Sequence, residues 1–535
     1  MKRWNGWGNP ATDYPLPASA ARYLEEKVGP GERAPDATLD QALKGAPPSR
    51  LPAHPLVSQE VEERLRHARG QSLPDWIALR SGRIGAFPDG VAYPCDAEQV
   101  RGLMEYARRA GAVLIPYGGG TSVVGHINPL PGERPVLTMD LSRLNRLLHL
   151  DEASRLARFQ AGVRGPDLEA QLQARGYTLG HYPQSFEYST LGGWAATRSS
   201  GQQSYYYGRI EDLFAGGRVE TPGGPLVLPP LPASAAGPDL RQIILGSEGR
   251  LGVITEVELR VRPLPENEQF YGVFFKDWEA GLAALNSIAQ AKIPVSMLRL
   301  SNPQETETTL VLSGKEALVR WAGRGLNLLG HREKRCLLIF GVTGEPRAAA
   351  FARGEALAII RRHGGLFTGT LAGRLWRKSR FLTPYLRNTL WEAGYALDTL
   401  ETALPWSVLE QAAEDILGAL RSAPLSNPGL LVFAHLSHVY ADGASLYVTY
   451  LYRRSADPDQ TLQDWRHLKT RASREILRHG GTISHQHGVG SDHAPYLPAE
   501  KGPAGMELLQ ASCRALDPEG MMNPGKLWAE DGPDD

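Results

Sequence analysis

The stretch Gly111 to Gly125 reads Gly-Ala-Val-Leu-Ile-Pro-Tyr-Gly-Gly-Gly-Thr-Ser-Val-Val-Gly. Ala112 to Ile115 is a short apolar run that predicts a buried strand, and it stops at Pro116 and Tyr117, followed by Gly118, Gly119 and Gly120. These glycines carry no Cβ to block a close approach, and Thr121 and Ser122 add hydroxyl donors. Such a loop can turn bare backbone N–H groups toward an anion, and a pyrophosphate is the natural guest. A plain glycine turn after a strand is the alternative, because a single glycine cluster is a weak motif.

On the N-terminal side, Val100, Leu103, Met104 and Ala107 follow helical spacing between Asp96, a candidate cap, and Gly111. On the C-terminal side, Val136–Met139 and Leu156–Ala161 predict strands, and a helix runs from about Pro166 to Arg175 and stops at Gly176. Residues 183–224 are dense in Gly, Ser, Thr and Tyr. So many small residues would let the backbone lie flat on a ligand, and a long surface loop is the alternative. A third small-residue turn, Gly246-Ser-Glu-Gly-Arg-Leu-Gly252, leads into an alternating strand from Glu256 to Arg262, and Pro263-Leu-Pro265 marks a boundary. Three glycine-rich turns in one domain point to one extended cofactor lying across several loops.

Residues 1–84 form an arm rich in Pro, Arg and Glu, with one helix expected near Val57 to Arg69. Residues 85–265 make the glycine-loop domain. From 266 to 455 strands at Phe270–Phe275, Met297–Leu300, Cys336–Val342, Leu430–His435 and Ser445–Tyr452 alternate with helices at Trp278–Ala291 and Pro346–His363. This predicts an α+β cap, an antiparallel sheet covered by helices on one side. Residues 456–535 add a helix from Leu462 to His479 and a histidine-rich loop.

That loop, Ser484-His-Gln-His-Gly-Val-Gly-Ser-Asp-His493, places three histidines within nine residues, suited to proton transfer near neutral pH. A metal site competes, but no cysteine and no HExxH pair supports it, and no metal is expected. Tyr450, Tyr452 and Arg453 end a strand ahead of it. Gly520 to Leu527 imitates a nucleotide-hydrolase phosphate loop, yet Leu527 has no hydroxyl for Mg²⁺ and Pro524 has no N–H. Neither G-x-G-x-x-G nor G-x-S-x-G occurs, which removes support for a Rossmann NAD domain and an α/β hydrolase.

Composition closes off other classes. Fifty-eight basic residues balance fifty-eight acidic ones over 535 residues, so no global charge favours nucleic acid. Cys95, Cys336 and Cys513 lie far apart and cannot build a disulfide framework, which suits a reducing cytoplasm. No window reaches membrane-span length, and Met1 to Gly6 lacks a signal core.

Taken together, the glycine turns resemble the two-lobed FAD-binding domain of the vanillyl-alcohol oxidase / p-cresol methylhydroxylase (PCMH) superfamily, and Asp517-Pro518 through Asn523-Pro-Gly-Lys526 resembles its closing motif. Within it the chain is similar to the alkyldihydroxyacetonephosphate (alkylglycerone-phosphate) synthases. The markers are Trp4-Asn-Gly-Trp-Gly8, Ile115 to Val123, Gly180-His-Tyr-Pro-Gln-Ser185, Ser189-Thr-Leu-Gly-Gly-Trp194, Thr197-Arg198 and Gly246-Ser-Glu-Gly249. The resemblance implies FAD held by Pro116, Tyr117, Gly118, Gly119, Gly120, Thr121, Ser122, Val123, Pro183, Gln184, Ser185, Ser189, Thr190, Gly192, Gly193, Thr197, Arg198, Ser200, Glu248, Gly249, Gly252, Val253 and Ile254, and because Tyr117 to Val123 has no histidine to tether it and His126 lies downstream, non-covalent FAD is expected.

It also implies the reaction. Acyl-dihydroxyacetone phosphate exchanges its acyl group for a fatty alcohol, giving an ether lipid, through a bond to the flavin N5 and without net redox change. Tyr452 and His487 are expected to move protons with support from His485, and Arg299 and Arg387 to hold the substrate phosphate. A homodimer and peripheral membrane contact of a cytoplasmic protein follow from the same resemblance. The chain departs from the family at Gln486, Ser491 and Leu436, which the family fills with His, Lys and Arg. The alternative is an FAD-dependent 2-hydroxy-acid dehydrogenase of the D-lactate or glycolate oxidase type. That group has a second histidine and a glutamate that this chain lacks, and glutamine is a poor hard-metal ligand. A flavin-binding protein without catalysis is the third reading.

Overall fold

The computed structural model describes residues 2–529. The last residues of the sequence, Gly532 to Asp535, lie outside them.

Two sheets carry the glycine turns. In the first, Val113–Tyr117 runs parallel to Val136–Asp140 and that strand parallel to Gly90–Ala92, with Val57–Ser58 antiparallel at the edge. The helix Ala97–Arg109 precedes Val113–Tyr117, and the Asp96 side chain caps it by accepting from Gln99 N. The expected helix at Val57 to Arg69 divides into the edge strand and a shorter helix, Val61–Arg66. The second sheet is antiparallel, in the order Leu147–Asp151, Leu156–Gln160, Val253–Arg260, Phe214–Thr221, Gly224–Leu228. Residues 183–224 are more ordered than a loop. They hold the helix Leu191–Thr197, capped by Thr190, and the strand Phe214–Thr221. The small residues are there because helix and strand pack closely, and a Cβ on Gly192 would stand 2.9 Å from Ala161 Cβ.

The cap is a seven-stranded antiparallel sheet, ordered Leu366–Phe367, Asn267–Phe275, Cys336–Gly344, Met297–Ser301, Leu430–Val439, Gly443–Arg453, Tyr395–Pro405. The last of these was not legible as a strand. Its two faces differ. Val432, Ala434, Leu436, Val448, Tyr450 and Tyr452 point into a core shared with helices Trp278–Gln290, Pro346–Arg362, Trp406–Arg421 and Pro458–Arg478. Leu431, Phe433, His435, Tyr447, Thr449 and Leu451 point to a cavity on the other side.

The arm joins the two parts. Its helix Ala18–Val28 packs Tyr23, Leu24 and Val28 against Leu386, Leu390, Leu431 and Leu451 of the cap. Further back, Lys2 Nζ donates to Gly119 O, and Asn388 of the cap accepts from Trp7 N and donates to Trp7 O.

Candidate active site

A continuous cavity of about 1000 Å³ runs from the glycine turns to the cap sheet. At one end Pro116 to Val123 faces Gly192 and Gly193, with Pro183, Gln184, Ser185, Ser189, Thr190, Thr197, Ser200, Glu248, Gly249, Gly252 and Ile254 completing the wall. Several of these side chains are spent on one another. Ser189 Oγ donates to Ser185 O and accepts from Trp194 Nε1, Thr197 Oγ1 donates to Gly193 O, and Ser200 Oγ bonds His438 Nδ1 at 3.2 Å. The backbone, Thr121 and side chains with unpaired atoms, among them Gln202 Oε1 and Asn523 Oδ1, are the groups of this wall left to face a cofactor. Bare glycine backbone on two facing segments, with hydroxyls beside it, fits a dinucleotide diphosphate. Arg198 and Val253 do not line the cavity: the Arg198 guanidinium donates to Gln242 Oε1 at 2.9 Å, and Val253 sits in the core beside Leu114 and Met522.

The histidine loop closes over this end, pinned by two buried carboxylates. Glu248 accepts from Val489 N at 2.5 Å and Gly490 N at 2.7 Å, while Glu401 accepts from Gln486 N and His487 N, both at 2.6 Å. Glu248, expected to touch the cofactor, thus also holds the loop, and its own φ of 51° is fixed by Asn523 Nδ2 donating to Glu248 O. The closing motif is part of the same clamp. Lys526, fully buried, donates to Asn128 O at 3.0 Å, and burial lowers its ammonium to about 8.

His487 lines the cavity with Nδ1 3.5 Å from Glu401 Oε1, and burial favours its neutral form. His485 does not line it. Its Nε2 is 2.6 Å from Tyr440 Oη, its ring stacks on His438, and burial drives its basicity well down.

At the middle of the cavity, Arg387 donates from one terminal nitrogen to Gln71 O, and its ring-facing guanidinium lies 4.4 Å from the Trp76 centroid. Its Nε and other terminal nitrogen are buried with no partner. Burial lowers its proton affinity, with Asp398 and Asp75 opposing. Beyond it the lining turns apolar: Leu24, Leu310, Leu312, Leu386, Leu390, Leu431, Phe433 and Leu451.

The comparisons with known proteins match this architecture. Residues 88–228 match the FAD binding domain, and residues 264–527 the C-terminal domain of FAD linked oxidases. The alkyldihydroxyacetonephosphate synthase of Dictyostelium discoideum is 30% identical over 98% of this chain and 93% of its own length. The chain belongs to the alkyldihydroxyacetonephosphate synthase family. Its cofactor is FAD. A solved alkyldihydroxyacetonephosphate synthase superposes with a TM-score of 0.82 at 26% identity, covering 98% of both chains. A p-cresol methylhydroxylase with substrate bound shares the fold at a TM-score of 0.67 and 14% identity, over 94% of this chain and all of that one.

Two expectations drawn from the family are corrected by the geometry. Tyr452 is fully buried on the helix side of the cap sheet, where its hydroxyl donates to Thr461 O at 3.1 Å and reaches no cavity. Strand alternation is the reason. The cavity-facing tyrosine of that strand is Tyr447, whose ring stands edge-on to His487 at 5.6 Å and whose hydroxyl donates to Thr399 Oγ1. Arg299 lines the cavity but is not a free anion receptor, because Glu305 Oε1 lies 2.7 Å from its guanidinium and neutralises it. Of the five residues expected to carry chemistry, His487, Arg387 and Arg299 reach the cavity, and Tyr452 and His485 do not. Period-two reading of residues 443–453 would have found Tyr447. Nothing in the sequence marks Glu305 or Glu401.

Proposed function

We propose that this protein exchanges the acyl group of acyl-dihydroxyacetone phosphate for a fatty alcohol. One observation carries the reading: a single cavity joins a dinucleotide cradle, a buried arginine with open donors and a long apolar lobe. That sequence of surfaces matches a substrate with a phosphate at one end and an aliphatic chain at the other. FAD, when bound, supplies a ring nitrogen that can accept and return an electron pair, so the exchange needs no external oxidant. The protein's own groups do the rest. Arg387 binds phosphate through Nε and a terminal nitrogen, a fork that suits two oxygens of one anion. Leu386, Leu390, Phe433 and Leu451 bind the chain and exclude water, and neutral His487, braced by Glu401, accepts or returns a proton beside the cradle. Incubation of the holoprotein with acyl-dihydroxyacetone phosphate and radiolabelled fatty alcohol should give labelled ether lipid. Labelled alcohol recovered unchanged would remove the proposal.

The 2-hydroxy-acid dehydrogenase alternative requires hard-metal ligands at the reacting centre. Here Tyr447 stands between His435 and His487, and Gln486 lies beside them. The described three-ligand group, Asp415, Glu475 and His479, does not line the cavity.

FAD is held without a covalent tether in this reading. His126, the histidine nearest the first glycine turn, has Nδ1 2.8 Å from Ser122 Oγ and Nε2 3.2 Å from Glu248 Oε1. Acid precipitation should therefore leave the yellow colour in the supernatant, and a coloured pellet would contradict this.

Among the described residues, no helix is long and apolar enough to cross a membrane. Peripheral contact fits better. The helix Glu316–Leu328 follows the cavity-lining residues Leu310, Leu312 and Ser313, and it leaves Trp321 75%, Leu328 89% and Leu329 60% exposed among Arg320, Arg324 and Arg332. An apolar stripe flanked by cations suits an anionic bilayer surface. Co-sedimentation with anionic vesicles should fall at least severalfold in Trp321→Ala, and equal binding by both proteins would rule this helix out.

A further inference from the structure

Along the strand Leu430–Val439 the cavity-facing side chains read Leu431, Phe433, His435, Ser437. The neighbouring strand, paired in register, repeats the gradient: Leu451 opposite Leu431, Thr449 opposite Phe433, Tyr447 opposite His435. His435 is thus the first ionisable group met where the apolar lobe gives way to polar lining. The hydroxyl of an alcohol whose chain fills the lobe arrives there.

His435 is built to receive a proton. Its Nδ1 is 3.0 Å from Glu305 Oε1, and that carboxylate also takes the Arg299 guanidinium at 2.7 Å. Arg299 and His435 hold Glu305 ionised, at about 2 despite its burial. Nδ1 also lies 3.2 Å from the Arg299 guanidinium, which only donates, but the ionised carboxylate only accepts and is the nearer, so we assign the imidazole proton to Nδ1 and the lone pair to Nε2. Among the described residues Nε2 has no hydrogen-bond partner. Tyr447 stacks on the ring at 5.0 Å and 20°, fixing its plane.

We infer that His435 is the catalytic base for the incoming alcohol and that Glu305 is its positioning residue. This rests on the transferase reading above. As the alcohol oxygen forms its bond to the glycerone carbon, its O–H bond breaks and the proton passes to His435 Nε2. The carbon–oxygen bond to the acyl group breaks with its electron pair on the departing carboxylate. Electrons balance without oxidant, and the imidazolium, stabilised by the Glu305 carboxylate it shares with Arg299, later returns its proton to water.

The charged and titratable groups around His435 are Arg299, Glu305, Tyr447 and, on its own strand, His438. Glu305 raises the basicity of His435, while burial and Arg299 lower it. The acidic limb of kcat/KM against pH should therefore move to lower pH in Glu305→Gln.

The test uses the FAD-loaded protein and labelled fatty alcohol, with flavin absorbance reporting intact folding. His435→Gln should keep its FAD and its KM for the acyl substrate and lose ~10²- to 10⁴-fold in kcat, the usual contribution of a general base. Added imidazole should restore part of the rate of His435→Ala. A His435→Gln enzyme within threefold of the parent, a His435→Ala enzyme untouched by imidazole, or a Glu305→Gln acidic limb that stays in place overturns the inference. A parent protein that makes no ether at all fails the transferase reading, a result distinct from an active parent matched by its His435 variant.

Discussion

Gly119→Ala will lose FAD and fold less stably than the parent. A Cβ at this position would stand 1.9 Å from Tyr188 O, 2.7 Å from Tyr188 C and 3.0 Å from Ser189 Cα. All three are backbone atoms of the segment that leads into the second glycine turn, so no flexible side chain can give way. The loop must retreat from residues 188–190, and with it the Lys2 contact to Gly119 O. Overpacking of this kind costs ~1–3 kcal/mol, and the part borne by the cofactor-binding geometry weakens FAD affinity by up to ~100-fold. Gly132, where an added Cβ meets nothing within 4 Å, is the matched control. Flavin absorbance per protein and Tm should drop together for Gly119→Ala and stay level for Gly132→Ala. Full flavin content in Gly119→Ala would show that the first and second turns do not form one cradle.

Arg387→Met should abolish most of the activity while making the ligand-free fold no less stable. Two guanidinium donors of Arg387 are buried without partners, a state that stores desolvation cost until an anion arrives. Charge-assisted hydrogen bonds contribute ~1.5–3 kcal/mol each, so losing two lowers kcat/KM for a phosphorylated substrate by ~10²- to 10⁴-fold. Methionine keeps an unbranched apolar stem and gives up the guanidinium contacts with Trp76 and Gln71 O, which the relief of two buried unpaired donors offsets. The paired readout is an unchanged or raised Tm, unaltered FAD content and a steep fall in kcat/KM. A variant with parental kinetics would put the phosphate elsewhere.

Local chemistry shows through the chain where it depends on neighbours in sequence. The strand into Tyr117, the capped helix after Asp96, the helix Pro346–Arg362 and the strand Asn267–Phe275 are set by apolar period, caps and turn residues, which need no distant partner. The strand Tyr395–Pro405 escaped because it gains its identity by pairing residue for residue with Gly443–Arg453, some fifty positions later. The run of small residues at 191–197 looked like loop for a related reason: helix propensity there is overridden by close packing on Ala161.

The amino-acid sequence alone determined the glycine cradle, the α+β cap, the family and the placing of histidines after the long C-terminal helix. Those properties are written in contiguous patterns of size, polarity and spacing. Tertiary structure decided which of the chemical groups can act. Strand pleat turned Tyr452 away from the cavity and Tyr447 into it, Glu305 paired with both Arg299 and His435, and burial left two donors of Arg387 without partners. Each of these depends on a partner far away in the chain, and charge, tautomer and accessibility are properties of the pair rather than of either residue.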